Sequence, residues 1–401
     1  MTLYLFTSSF PYGKGEQFLE TEILYLSKKF TKIIITPTSY GNKPEMRKVP
    51  ENVEVNKPIL VSKIKRVFNF RHFFILKKSI LFLSIHEFIR SINHNQVRLF
   101  LAALNIALYS IRDKNIQKIL NESRKEDVLY FYWGNDLSFI IPFMQQNIHA
   151  KIIFRLHRSD LYEYLYNDYF PFREEQIAKA DYIIPISEDG KKYLDAKYSK
   201  YKEKIIVHKL GTKNHNNLVP KNNNEYFRIV SCSSLIEEKR VDLIIDILSN
   251  IKNLNIEWVH FGDGYLKNQI FYKLKKLSSN IEVDFKGFVA NKDILEYYKL
   301  NTVDLFINVS SNEGIPVSIM EAISFGIPVI ATKVGGTGEI VSDDVGILLD
   351  ENFDILNTSN IIKKIINKEI EFDSILIKEF WSKNYDANKN YDLFTKFLIG
   401  S

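Results

Sequence analysis

Short apolar runs alternate with longer amphipathic stretches along this chain. Residues 3–7 are almost wholly apolar, a loop with Pro11, Gly13 and Gly15 follows, and apolar positions recur at helical spacing over 16–29 before a second apolar run at 32–36. A short apolar run bounded by turn residues suits a strand buried on both faces, and a helix between two such strands is the repeating unit of a parallel sheet. The pattern predicts further strands at 128–132, 151–155, 182–185 and 205–208, with helices between them. Residues 211–226 are polar and aperiodic, which marks a boundary. Beyond it, strands expected at 227–231, 256–261, 281–285, 304–308 and 328–331 alternate with helices from about 238, from about 265, near 294–300 and near 317–325. Trp381, Tyr385, Tyr391, Phe394 and Phe397 recur at roughly helical spacing and predict a packed terminal helix.

This order predicts an α/β protein of two doubly wound parallel-sheet halves. The expected plan is a first domain over 1–210, a linker over 211–226, a second domain over 227–374 and a helical segment over 375–401. Sheets of this kind bind ligands outside the carboxyl ends of their strands.

Composition narrows the function classes. The chain has 401 residues, enough for two cores, with 45% hydrophobic and 25% charged residues. Cys232 is its only cysteine, which excludes a disulfide framework or a cysteine-based zinc site within one chain and suits a reducing compartment. The first residues, Met1 to Thr7, have no basic n-region, so no signal peptide is expected, and no apolar run reaches the length of a membrane span. Net charge is +6. A basic balance suits nucleic acid, a membrane surface or a phosphorylated substrate; no nucleic-acid-binding motif accompanies it, so nucleic acid is not expected as a partner. The charge is uneven. Over 61–100, Lys63, Lys65, Arg66, Arg71, Lys77, Lys78, Arg90 and Arg98 face one acid, Glu87, and are interleaved with Phe68, Phe70, Phe73, Phe74, Leu76, Ile80, Leu81, Phe82 and Leu83. Such a segment is expected to lie on an anionic membrane surface; the alternative is a buried helix with a solvated basic face.

The stretch from 310 to 341 carries the most chemistry. Glu313 and Gly314 follow the strand expected at 304–308, and a helix is expected to open near Pro316 with Glu313 as a natural cap. Glu321 lies inside that helix, and Gly335-Gly336-Thr337-Gly338 form a turn whose amides can approach a ligand. Two carboxylates near the mouth of a parallel sheet can accept hydrogen bonds from sugar and ribose hydroxyls.

Glu313 and Glu321, followed by Gly326-Ile327-Pro328-Val329 and Gly335-Gly336-Thr337-Gly338-Glu339, resemble the C-terminal signature of glycosyltransferase family 4, a retaining group with the GT-B fold. The resemblance implies two Rossmann-like domains facing a cleft and a nucleotide-sugar donor, UDP- or GDP-linked. It implies that Glu313 contacts donor-sugar hydroxyls, that Glu321 holds the ribose, and that the backbone at Gly314, Ile315, Pro316 and Val317 faces the diphosphate, as a helix N-terminus favours. The run from Ser231 to Asp242 is similar to the family's phosphate element, with Lys239 on the diphosphate. It departs at Ser234, where arginine is common, and at Arg240, where glycine is common. Gly262 resembles the start of a family turn after the second strand, and Gly287 a segment lining the base pocket. Phe10-Pro11-Tyr12-Gly13-Lys14-Gly15-Glu16 resembles the flexible loop that meets donor and acceptor, here through Gly13 and Gly15. His157 resembles a histidine that reaches the donor sugar, and Asp160 and Arg173 are acceptor-side or structural groups.

No Asp-x-Asp occurs, so neither a metal nor a cofactor is expected, and Lys239 with the helix opening would meet the leaving charge by preorganised electrostatics. Phe10-Pro11, the run from His157 to Tyr162, and Leu210-Gly211-Thr212 look like bacterial surface-polysaccharide transferases. That implies a lipid-linked saccharide acceptor in capsule, exopolysaccharide or lipopolysaccharide assembly, at the inner face of the cytoplasmic membrane. A catalytically silent sugar-nucleotide-binding homologue is the alternative from another class; an epimerase or phosphorylase is disfavoured by the paired glutamates.

Overall fold

A computed structural model describes residues 1–13, 15–41, 45–60, 78–145, 148–220 and 225–400, with the side chains of 78–80 excepted. Lys14, residues 221–224 of the expected linker, and Lys63, Lys65, Arg66, Arg71 and Lys77 of the expected membrane segment lie outside the described residues.

The chain divides into two compact units, one of residues 1–210 and 388–401, the other of residues 211–387. The first unit holds β1 (Thr2–Thr7), β2 (Lys32–Pro37), β3 (Val53–Val55), β4 (Val128–Phe131), β5 (Lys151–Leu156) and β6 (Tyr182–Pro185) in the order β3-β2-β1-β4-β5-β6. The described pairings are all parallel. Along β1, Leu3 and Leu5 pack into one core cluster while Tyr4 and Phe6 pack into the cluster on the opposite face. Successive strand side chains point to opposite faces, so a sheet covered on both sides reads as one continuous apolar run. The closing helix Ala387–Ile399 adds Phe394 and Leu398 to the first of those clusters.

The second unit holds β7 (Phe227–Cys232), β8 (Ile256–Phe261), β9 (Ile281–Gly287), β10 (Leu305–Asn308), β11 (Val329–Thr332) and β12 (Gly346–Leu349) in the order β12-β11-β10-β7-β8-β9, again parallel. The two orders are the same when read from β1 and from β7. In each, the order reverses beside the first strand, between β1 and β4 and between β7 and β10. Crossovers diverge there, leaving a crevice at the carboxyl ends.

Several expectations change. Residues 205–208 do not form a strand; a single bridge joins Ile205 to Ile183. β3 and β12, edge strands of three and four residues, were not among the expected strands. The described part of 211–226 is not a free linker. The Trp381 indole donates to Thr212 Oγ1 at 2.8 Å, Val219 N donates to the Phe325 carbonyl, and Lys378 Nζ to the Asn217 carbonyl, all within the second unit. These fixed partners explain how a polar, aperiodic stretch is nonetheless ordered.

Candidate functional site

In the second unit, β7 ends at Cys232 and the chain runs through half-buried Ser233 and exposed Ser234 into a single 3-10 turn, Glu237–Lys239. The helix begins only at Val241, because Arg240 takes a left-handed conformation with φ 47°. Lys239 therefore stands on the turn and not on the helix, as the sequence pattern had suggested. The left-handed backbone also explains why glycine suits position 240. Arg240 spends its guanidinium on the carbonyls of Val309 (2.7 Å), Ser310 (3.2 Å) and Glu351 (2.9 Å), which fastens this turn to the loop after β10. In this structure its guanidinium is taken up by the fold.

That fastening brings two expected site residues together. Lys239 Nζ lies 2.5 Å from a Glu313 carboxylate oxygen, with both side chains partly reachable by solvent. Asn308, the last residue of β10, donates to the same oxygen at 3.4 Å. Glu313 thus faces the lysine and does not cap the following helix, Val317–Ser324, which has no side-chain cap. The turn that carries Glu313 is held from behind: Gly336 N donates to the Gly314 carbonyl at 2.7 Å. At Gly335 (φ 51°) a Cβ would sit 1.9 Å from the Glu313 carbonyl oxygen, so only glycine fits this approach. Gly314 and Val317 are half-buried, and Ile315 and Pro316 are buried, at the helix opening.

Glu321 is buried within the same helix and accepts a hydrogen bond from Asn291 Nδ2 at 2.7 Å. Burial pushes its carboxyl up to about 7, against the opposing pull of that hydrogen bond. Asn291 was not picked out from the sequence. Its signal was its place at the start of helix Asn291–Leu300, four residues after Gly287. Gly287 (φ 67°) and Gly262 (φ 150°) meet through a 2.9 Å hydrogen bond from Gly262 N to the Gly287 carbonyl. A Cβ at Gly262 would fall 1.8 Å from the Ser233 carbonyl oxygen, so this glycine lets the loop after β7 lie close.

The first unit gathers the remaining residues at the ends of β1, β4 and β5. Asp160 is fully buried and accepts the amides of Gly134 (2.5 Å) and His157 (2.7 Å); burial pushes its carboxyl up to about 7. Arg173 is equally buried, donates to the Asp160 carbonyl and lies over the Phe170 ring. Both point inward and shape the loop. His157 is 7% exposed and packs on Trp133, with ring centroids 4.3 Å apart. Burial, aided by the Arg155 guanidinium, holds its imidazole well below the usual histidine range, so it is neutral at pH 7. Neither ring nitrogen has a hydrogen-bond partner among the described residues. Gly13 (φ 65°) and Gly15 flank the loop after β1, and Glu16 closes it. The Glu16 carboxylate accepts the amides of Ser8, Ser9 and Phe10 at 2.6–2.9 Å and the Trp133 indole at 2.7 Å. This clasp was not legible in the sequence beyond the glycines that flank it.

Comparison with known proteins bears on this geometry. Residues 213–379 match the family model for glycosyl transferases group 1. The GtfA subunit of a UDP-N-acetylglucosamine–peptide N-acetylglucosaminyltransferase from Streptococcus parasanguinis is 24% identical over 51% of this chain and 40% of its own length. The amylovoran biosynthesis glycosyltransferase AmsD from Erwinia amylovora is 24% identical over 48% of this chain and 54% of its own. The chain thus spans about half of these relatives. Among solved structures, the lipopolysaccharide outer core galactosyltransferase WaaB superposes over 100% of this chain and 99% of its own, with TM-score 0.70 and 16% identity. Anabaena HepE in complex with UDP covers 100% of both chains with TM-score 0.65 and 16% identity. The second unit carries the group 1 glycosyltransferase pattern, and the chain has the GT-B fold.

Proposed function

We propose that the protein is a retaining glycosyltransferase that moves a sugar from a UDP-linked donor to a lipid-linked saccharide in bacterial surface-polysaccharide assembly. The single observation that carries this reading is the Lys239–Glu313 pair at the sheet reversal of the second unit, where such folds bind ligands. In it, a diphosphate draws Lys239 away from Glu313, which frees the carboxylate for donor-sugar hydroxyls. Glu321, steadied by Asn291, holds the ribose. Lys239 and the backbone at the helix opening stabilise the departing diphosphate. Retention then proceeds by same-face attack, with a donor phosphate oxygen taking the acceptor proton. No step is assigned to a metal, and activity is expected to survive EDTA. HepE binds UDP and WaaB is a galactosyltransferase of lipopolysaccharide core, which supports a uridine donor and a polysaccharide pathway for a chain of the same fold.

Peripheral docking on the inner face of the cytoplasmic membrane belongs to the same proposal. Helix Lys78–Asn93 exposes Phe82, Ile85, Phe88, Ile89 and Ile92, beside a stretch rich in lysine and arginine. Arg90, whose side chain is partly exposed, pairs with buried Glu87 at 2.5 Å, so part of its charge is met within the first unit. No helix among the described residues is long and apolar enough to cross a membrane. Liposome co-sedimentation should require anionic lipid and weaken with salt; binding indifferent to lipid charge would remove this part.

The test of the activity is turnover with a panel of UDP- and GDP-sugars, with Glu313→Gln as control. Transfer from one donor, lost in the variant, is expected. Tight nucleotide binding without turnover would make the protein a silent sugar-nucleotide-binding homologue instead.

A further inference from the structure

We propose that the loop after β1 is an anion-binding nest filled by the chain's own Glu16, which leaves this end of the first sheet to an uncharged sugar ring instead of a phosphate. The first half of this stands on geometry alone; the second half rests on the glycosyltransferase reading.

The loop leaves β1 at the point where the strand order reverses, the position at which a doubly wound sheet holds phosphate on backbone amides. Here three consecutive amides converge on one carboxylate: Ser8 N at 2.9 Å, Ser9 N at 2.7 Å and Phe10 N at 2.6 Å. Ser9 Oγ adds a contact at 3.3 Å, and the Trp133 indole closes the ring of donors from the loop after β4 at 2.7 Å. Five donors around one anion exceed what holding a turn requires. Glu16 itself takes a left-handed backbone (φ 54°), which turns its side chain back over the nest.

The plug is fastened. Arg47 donates to the carbonyls of Pro11 (3.2 Å) and Gly15 (2.6 Å), pairs with Glu20 and lies over the Phe10 ring. An incoming phosphate would have to displace a carboxylate held at both ends of its loop. The feature left at this sheet end is the half-buried Trp133 ring, with its indole edge fixed by Glu16 and its body against His157. An aromatic face whose polar edge is already satisfied suits the apolar C–H face of a sugar.

The experiment is a titration with inorganic phosphate, followed by calorimetry, in the full chain carrying Lys239→Ala to silence the cation of the second unit. Adding Glu16→Ala should open the nest, and the double variant should bind one more phosphate per chain than its parent. Adding Glu16→Gln instead should give no such site, because the amide still fills the space. A folded Glu16→Ala double variant with no added site, or a parent whose Trp133 fluorescence already responds to phosphate, would overturn the nest. If Glu16→Ala does not fold, hydrogen exchange of the Ser8, Ser9 and Phe10 amides decides. They should be slow and indifferent to phosphate in the native chain and measurably faster in Glu16→Gln, whose side chain fills the space but offers one acceptor oxygen where the carboxylate offers two; native-like exchange in the variant overturns the proposal. For the sugar half, Trp133→Ala should raise acceptor KM by roughly tenfold with donor KM unchanged, and Trp133→Phe should restore most of it. Equal KM in both variants overturns that half. A nest that gains phosphate in a protein with no transferase activity would sink the functional reading and leave the nest standing.

Discussion

The two units share one strand order but treat the reversal point in opposite ways. In the second unit the loops after β7 and β10 meet through Lys239 and Glu313, a cation and an anion that solvent partly reaches. In the first unit the loops after β1 and β4 meet through Glu16 and Trp133, a carboxylate already satisfied by amides and an indole. A paired but reachable lysine can exchange its partner for a phosphate. A nest with its anion built in cannot do so without breaking the loop. On the function proposed above, the same backbone plan gives one unit a cation for a charged nucleotide and closes the other to charge. What differs is the sign and the tether of one side chain.

The largest expected effect sharpens this contrast on the open side. Lys239→Ala should lower kcat/KM for transfer by about 10²–10³-fold, or roughly 3–4 kcal/mol, as for loss of one preorganised charge-stabilising group. The fold should persist, because Arg240 continues to hold the turn to the loop after β10. Steady-state kinetics with circular dichroism checks both halves. Activity close to native would return the phosphate to the helix amides alone.

Glu321→Gln should separate binding from stability. The native carboxyl holds its proton more tightly when folded, at about 7, than at its ordinary 4.5. Its stabilising contribution is thus fully present below 4.5 and is lost as pH rises through 7. Above that, a buried carboxylate is a cost with a ceiling of about 3 kcal/mol at ~1.4 kcal/mol per pH unit. Melting curves should show Glu321→Gln more stable than native at pH 8 and equal to it at pH 4. Donor kcat/KM should fall as the native enzyme is acidified through 7, a limb the glutamine variant lacks. A native melting temperature at pH 8 in the variant would mean that Glu321 ionises without cost.

On the closed side, Glu16→Gln should cost about 1–3 kcal/mol, since charge-assisted bonds to buried amides are lost. Binding of UDP to the second unit should not change, and calorimetry beside thermal melts separates the two. The smallest effect is expected for Ser234→Arg. The position is exposed, so the arginine has room, and transfer should shift by no more than about 1 kcal/mol. An inactive variant would show that the pocket has been rebuilt around the serine.

Much of the alternation of strands and helices was legible because buried parallel strands are continuously apolar. β3 was not, since three residues with one buried leave no run; β12 was not expected either, although it lies in the apolar run Val345–Leu349. Glu313, Glu321 and Lys239 stood out through their spacing, but spacing along the chain does not report which side chains meet. The Lys239–Glu313 contact spans 74 residues and that of Trp133 with Glu16 spans 117, so both depend on topology. Arg240 illustrates the reverse error. It stood out only as a departure from the glycine common there, yet three carbonyls from two loops take its guanidinium and make it a structural tie.

The most direct test of the contrast between the units is hydrogen exchange with and without UDP. Exchange should slow on binding at 233–241, 287–291 and 313–321, with the amides of Ser8, Ser9 and Phe10 already slow and unchanged. Protection that gathers at Ser8, Ser9 and Phe10 and spares 313–321 would contradict this, by placing the nucleotide in the first unit.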